Sequence, residues 1–193
     1  MNKKIAILRG INVGGKRKIR MRDLKSLCEN LGWKDVETYI QSGNLIFSSD
    51  DQNSELEETL ELEIQKFYGF DVPVIVRNSK ELQTSIANNP FIDTGGEINQ
   101  LHLTFLKDRP IDEKVEQIWI HSYAPDKFKI VGKDVFIFCA GKYHKTKLTN
   151  NFFERKLNTG ATTRNWKTVL KLAEMIETYP SEQLHLRYFF GFG

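Results

Sequence analysis

Apolar residues run without a break through Ile5, Ala6, Ile7 and Leu8, and a short run of this kind bounded by charge and glycine predicts a strand over residues 4–8. The period then changes. Met21, Leu24, Leu27, Cys28 and Leu31 recur at helical spacing, and Gly32 suits the left-handed residue that ends a helix. The segment "VETYIQSGNLIFSS" reads as two strands joined at Ser42-Gly43. Ser54 and Glu57 have capping-box spacing ahead of a second helix whose inward face is expected to carry Leu56, Leu60, Ile64 and Phe67. "VPVIVR" closes this half as a strand, and Ser79 to Ala87 reads as a short helix.

The breaker-rich "NNPFIDTGGEINQ" interrupts the pattern, and the same order of elements comes after it. "QLHLTFLK" is a strand and Ile111 to Ile120 a helix. "KFKIVGKDVFIFCA" gives two strands about Gly132-Lys133-Asp134, and Leu148 to Leu157 is a helix. The short "GATT" leads into a final helix faced by Trp166, Val169, Leu170, Ala173 and Ile176. The expected fold class is α+β, two tandem ferredoxin-like βαββαβ units with antiparallel sheets packed against each other. The expected limits are 1–88 for the first unit with its following helix, 89–99 for a connecting segment, 100–180 for the second unit and 181–193 for a C-terminal tail. Apolar runs such as "IAIL" and "LIF" suit strands covered on both faces. That argues against an open sheet reading single-stranded RNA, and the K/R-G-F/Y-G/A-F pattern of such modules is missing.

Composition adds an uneven charge distribution to this picture. The 193 residues are 40% hydrophobic and carry a net charge of +3. Residues 1–25 hold nine Lys/Arg against Asp23 alone, and residues 127–171 hold eleven against Asp134 and Glu154; residues 50–66 hold seven acids against Lys66. Two basic segments far apart in sequence are positioned to line one cleft if the fold unites them. The apolar run after Lys3 and Lys4 is too short for a signal-peptide core, so a cytoplasmic protein is expected. Cys28 and Cys139 lack any zinc-binding spacing, and neither a metal nor a cofactor is implied.

The chemistry-bearing residues cluster in four places. "GINVGGKR", Gly10 to Arg17, matches G-x-x-x-x-G-K and then fails, because Arg17 stands where a phosphate-loop NTPase needs the Ser or Thr hydroxyl that ligates magnesium. Two readings of this loop remain. In one, Arg9, Gly10, Asn12, Gly14, Gly15 and Lys16 present backbone N–H groups and cations to an anion; in the other, the glycines only reverse the chain. Gln41 and Asn44 sit in the "QSGN" hairpin. Lys142, His144 and Lys145 interleave with Tyr143 in "GKYHKTK", a composition that suits phosphate and base contacts. Thr163, Arg164 and Asn165 precede the last helix, where a cap or an anion would be at home. Four scattered histidines make no metal motif, and no G-x-S-x-G is present.

"ILRGINVGGK", "YIQSGNLIF" and "ATTRNWKTVLKL" together resemble the bacterial domain-of-unknown-function family sixteen-ninety-seven, across nearly the whole chain in order. The chain departs from that resemblance at Lys18 to Met21, where a more neutral stretch is expected. The resemblance implies two ferredoxin-like units and locates a site at Arg9 to Lys16, Gln41 to Asn44 and Thr163 to Trp166, with no activity attached. The expectation is a binding module for a phosphate-bearing ligand, nucleic acid or nucleotide, in a basic cleft between the units. The alternatives are a metal-independent enzyme on a small phosphorylated or acidic substrate, with His144 as acid/base group, and a protein–protein adaptor.

Overall fold

In the computed structural model, which describes residues 1–92, 97–120 and 122–176, the chain forms two compact units. The first takes in Met1–Gln83 and the end of the last helix from Leu172; the second takes in Thr84–Lys171. Residues 93–96 of the expected connecting segment, His121, and the expected tail with His185 lie outside the described residues. No described helix is long and apolar enough to cross a membrane.

The first unit runs β1 (Asn2–Leu8), α1 (Met21–Asn30), β2 (Lys34–Tyr39), β3 (Asn44–Ser49), α2 (Asn53–Tyr68) and β4 (Val74–Asn78), followed by α3 (Ser79–Ala87). Its four strands form one antiparallel sheet in the order β2-β3-β1-β4. The second runs β5 (Leu101–Leu106), α4 (Asp112–Trp119), β6 (Lys127–Val131), β7 (Asp134–Phe138), α5 (Asn150–Leu157) and β8 (Ala161–Asn165), followed by α6 (Trp166–Ile176). Its antiparallel sheet has the corresponding order β6-β7-β5-β8. β3 and β5 are buried along their whole length, and β1 from Lys4 onward, so both faces of each sheet's centre are covered.

In the first unit Ala6, Leu8, Leu45, Phe47, Val74 and Val76 face the helices and meet Leu24, Cys28, Leu56, Leu60 and Ile64. Trp33 stacks on Phe47 with ring centroids 4.0 Å apart. The second unit's core joins Leu106, Val135, Ile137, Phe153 and Leu157 around Phe128.

Two local expectations are corrected. The capping box at the start of α2 is formed by Gln52 and Glu55, whose carboxylate accepts the Gln52 N–H at 3.2 Å, and not by Ser54 and Glu57. Glu57 is instead buried and accepts the Val76 N–H at 2.8 Å, while Glu61, one turn on, accepts the Val74 N–H at 2.8 Å. β4 is an edge strand, and the two carboxylates answer amides that no neighbouring strand reaches. Phe67 is 69% exposed, because the inward stripe of α2 continues in steps of four from Leu56 through Ile64 to the half-buried Tyr68.

Gly43 marks the tightest approach in the first unit. Its φ is +79°, and a Cβ there would lie 2.8 Å from the Leu8 Cβ and 2.7 Å from the Ile11 Cδ1. Ile11 can yield at its tip, whereas the Leu8 Cβ moves only with β1. Gly43→Ala is therefore expected to cost about 2–3 kcal/mol, read as a lower urea midpoint with unchanged slope. An unaltered midpoint would refute this close approach.

Candidate functional site

β1 ends where two other loops receive its last amides: the Leu8 N–H donates to the Gly43 carbonyl and the Arg9 N–H to the Pro73 carbonyl, each at 2.9 Å. The chain then turns through Gly10, at φ +69°, into the basic loop. Gly14 and Gly15 both take left-handed backbone, at φ +59° and +74°, and Lys16 bridges back to Val13 at 3.1 Å. Left-handed residues at both central positions define the two-residue turn of a tight hairpin. The glycines thus reverse the chain in a miniature hairpin rather than wrapping a phosphate ahead of a helix. α1 begins only at Met21.

Asn12 fixes this hairpin to the body of the unit. Its Oδ1 accepts the Ile19 N–H, and its Nδ2 donates to the carbonyls of Ile19 and Gln41, all at 2.9 Å. Asn tolerates the φ of +56° found there better than most residues. Lys16, Lys18 and Arg20 are exposed on the loop so held, while Arg17 is half-buried with its guanidinium beside Gly10. Gln41 is exposed. Asn44 is fully buried, its Nδ2 donating to the Tyr39 carbonyl at 2.9 Å and the Ser42 hydroxyl at 3.2 Å. The structure thus unites Arg9 to Lys16 with Gln41 to Asn44 and gives Asn12 and Asn44 turn-holding work.

In the second unit the other two clusters also meet. His102 on β5 lies opposite Asn165 on β8 and stacks on Tyr143, with ring centroids 4.4 Å apart. Burial pushes the His102 pKa down, against the opposing pull of the Gln100 carbonyl. A single helical turn, Tyr143–Lys145, carries the basic loop and leaves Lys142, His144 and Lys145 exposed. Asp126 anchors both sides of this turn: its carboxylate accepts the Thr146 hydroxyl at 2.5 Å and the Ala140 N–H at 3.0 Å. Thr163 shares a hydrogen bond with Thr104 at 2.7 Å and donates to the Asn150 Oδ1 at 2.6 Å. Asn165 caps α6 by accepting the Thr168 N–H at 2.8 Å. Arg164 is 8% exposed, and burial lowers its pKa to about 10.

A residue-level repeat escaped the reading of periodicity. Arg77-Asn78-Ser79-Lys80 recurs as Arg164-Asn165-Trp166-Lys167, at the same strand-to-helix corner of each unit. Arg77 lies opposite Ile5 and Arg164 opposite Leu103, the matching positions of β1 and β5. Each guanidinium donates to the carbonyl of the preceding residue at 2.9 Å, and each Asn accepts an N–H three residues on at 2.8 Å. The signal was the shared Arg-Asn-x-Lys, three of four positions identical.

Among the described residues no group of three or more His, Cys, Asp or Glu could hold a metal ion. Burial pushes the Cys28 thiol up to about 12 and the Cys139 thiol up to about 11, which leaves both poor nucleophiles. The family described as "Protein of unknown function (DUF1697)" matches residues 1–136, which include both halves of the Arg9–Asn44 cluster. The chain belongs to that family. This DUF1697 protein is also similar, at 25% identity and a TM-score of 0.75, to the solved structure of a conserved bacterial protein from Streptococcus pneumoniae. The similarity covers 91% of this chain and 99% of that one. No curated protein matches it.

The Asn12 clamp separates two physical terms. Asn12→Ala loses three hydrogen bonds and strains the backbone, for an expected cost of about 2–4 kcal/mol; Asn12→Gly should recover only the backbone part. Denaturation of both variants checks this, and equal stability of Asn12→Ala and the parent would contradict it.

Proposed function

We propose that this DUF1697 protein is a cytoplasmic binding module for a phosphate-bearing ligand, nucleic acid or nucleotide, engaged through the basic loop after β1. The observation that carries this reading is the exposure of Lys16, Lys18 and Arg20 on a loop whose backbone Asn12 already holds. A preformed loop loses little freedom on binding, and its cations release counterions when phosphates replace them. Lys142, His144 and Lys145 give the second unit an exposed group of the same chemistry. The fold that accompanies this reading is a tandem of ferredoxin-like units with limits near 1–88 and 100–180, supported by the corresponding strand orders of the two sheets. Binding is favoured over catalysis because no recognisable nucleophile or acid/base pair accompanies the basic residues in the sequence of either loop.

Fluorescence anisotropy with a short single-stranded oligonucleotide tests it. If the three loop cations contact phosphates, log affinity should fall against log salt with a slope of about −2. Lys16→Glu combined with Lys18→Glu should weaken binding at least tenfold and flatten that slope. Affinity insensitive to salt and to both reversals would remove the loop from the account.

A further inference from the structure

Each of the two sheets ends in two edge strands, and β2, β4 and β8 each carry a device that closes the edge. In β4 and β8 carboxylates from the preceding helix accept outward amides, Glu57 and Glu61 in the first case and Glu154 in the second. β2 has a register shift between Lys34 and Glu37, with Asp35 at φ +51°, an irregularity of the kind that blunts an edge. β6 differs. It pairs with β7 in unbroken register from Lys127 opposite Phe138 to Val131 opposite Asp134.

β6 and β7 meet at the two-residue turn Gly132-Lys133, and the pair that flanks such a turn, here Val131 and Asp134, exchanges both of its backbone bonds. By alternation Lys129 and Lys127 also turn their backbone groups toward β7, and Phe128 and Ile130 turn theirs outward. No hydrogen bond among the described residues reaches the outward groups of Phe128 or Ile130. The side chains give this edge two different faces. Lys127 and Lys129 are exposed on one; Lys127 lies 5.9 Å from the centroid of the Phe138 ring, and neither lysine is in an ion pair among the described residues. Phe128 and Ile130 are on the other, where Trp119 stacks on Phe128 with ring centroids 4.8 Å apart and is still 49% exposed.

We propose that the outer edge of β6 accepts an extended peptide as a further strand, with acidic residues facing Lys127 and Lys129 and an apolar residue between them beside Trp119. In strand addition of this kind main-chain bonds supply the affinity, here through Phe128 and Ile130, and alternate side chains supply the choice of partner. Directly opposed residues share a face, so an acid opposite each lysine gains a cross-strand charge pair, whereas a second copy of β6 would set lysine against lysine. The lysines thus guard the edge against its own kind and match it to an alternating acidic strand. This site lies in the second unit and does not depend on the role assigned to the basic loop.

Titration of the full chain with a short, labelled and capped peptide alternating glutamate with valine, read by anisotropy and by tryptophan emission, decides the matter. The peptide should bind with saturation and move the emission to the blue through Trp119, since Trp33 and Trp166 are already buried. A lysine–valine peptide of the same length should bind at least tenfold more weakly. Lys127→Glu with Lys129→Glu, changes at exposed side chains, should reverse that order. Ile130→Pro removes an outward N–H that β7 does not use, and should weaken the glutamate peptide at least tenfold while native circular dichroism is retained. Absence of saturable binding, or an affinity indifferent to the charge reversal, would overturn the proposal; so would a dimer in sedimentation that Ile130→Pro dissolves, because the edge would then belong to a second copy of the chain.

Discussion

Burial of the central strands on both faces constrains everything else in this protein. β3 and β5 expose no residue along their length, so no polar side chain on these strands can reach a ligand from the sheet surface. The exposed side chains of β1 are confined to its amino end, and those beyond it to the loop where the chain leaves the sheet and its amides need partners. At one end of β1 those partners are the Gly43 and Pro73 carbonyls, and the loop they steady carries the exposed cations.

The same constraint explains the polar groups that are buried. An edge strand covered by a helix cannot leave its outer amides to water, and in β4 the carboxylates of Glu57 and Glu61 accept them. The second unit solves the matching problem with one carboxylate: Glu154 accepts the Ala161 N–H at 3.3 Å, and Asn150, one turn earlier, takes the Thr163 hydroxyl. At the strand-to-helix corner both units use Arg followed by Asn, the Arg folded onto its own backbone and the Asn capping the helix. Arg164 therefore serves β8 from inside, and its sequence position beside a helix start gave no hint of that burial.

Much of this was legible from periodicity, because short unbroken apolar runs and helical stripes leave few alternatives for where each strand and helix falls. What was not legible depends on which of two equivalent patterns tertiary contacts select. Gln52-Glu55 and Ser54-Glu57 both have capping-box spacing, and only the need of β4's amides draws Glu57 inward. Phe67 and Tyr68 both extend the stripe of α2, and the accumulated twist of the helix chooses Tyr68. Asn12 reads as a polar loop residue, yet its three hydrogen bonds depend on Ile19 and Gln41, the latter distant in sequence. Lys4 reads as one more charge at the amino end, since nothing local reports that Asp51 and Asn53 close over it.

The proposal on which the rest turns is that a phosphate-bearing ligand meets the loop after β1 and not the faces of the sheet. Amide chemical-shift mapping during titration with a short oligonucleotide tests it most directly. Shifts are expected to concentrate at Gly14, Gly15, Lys16 and Lys18, with Ile5, Ile46 and Ile75 unmoved. Shifts centred on those three sheet residues, with the loop silent, would contradict it.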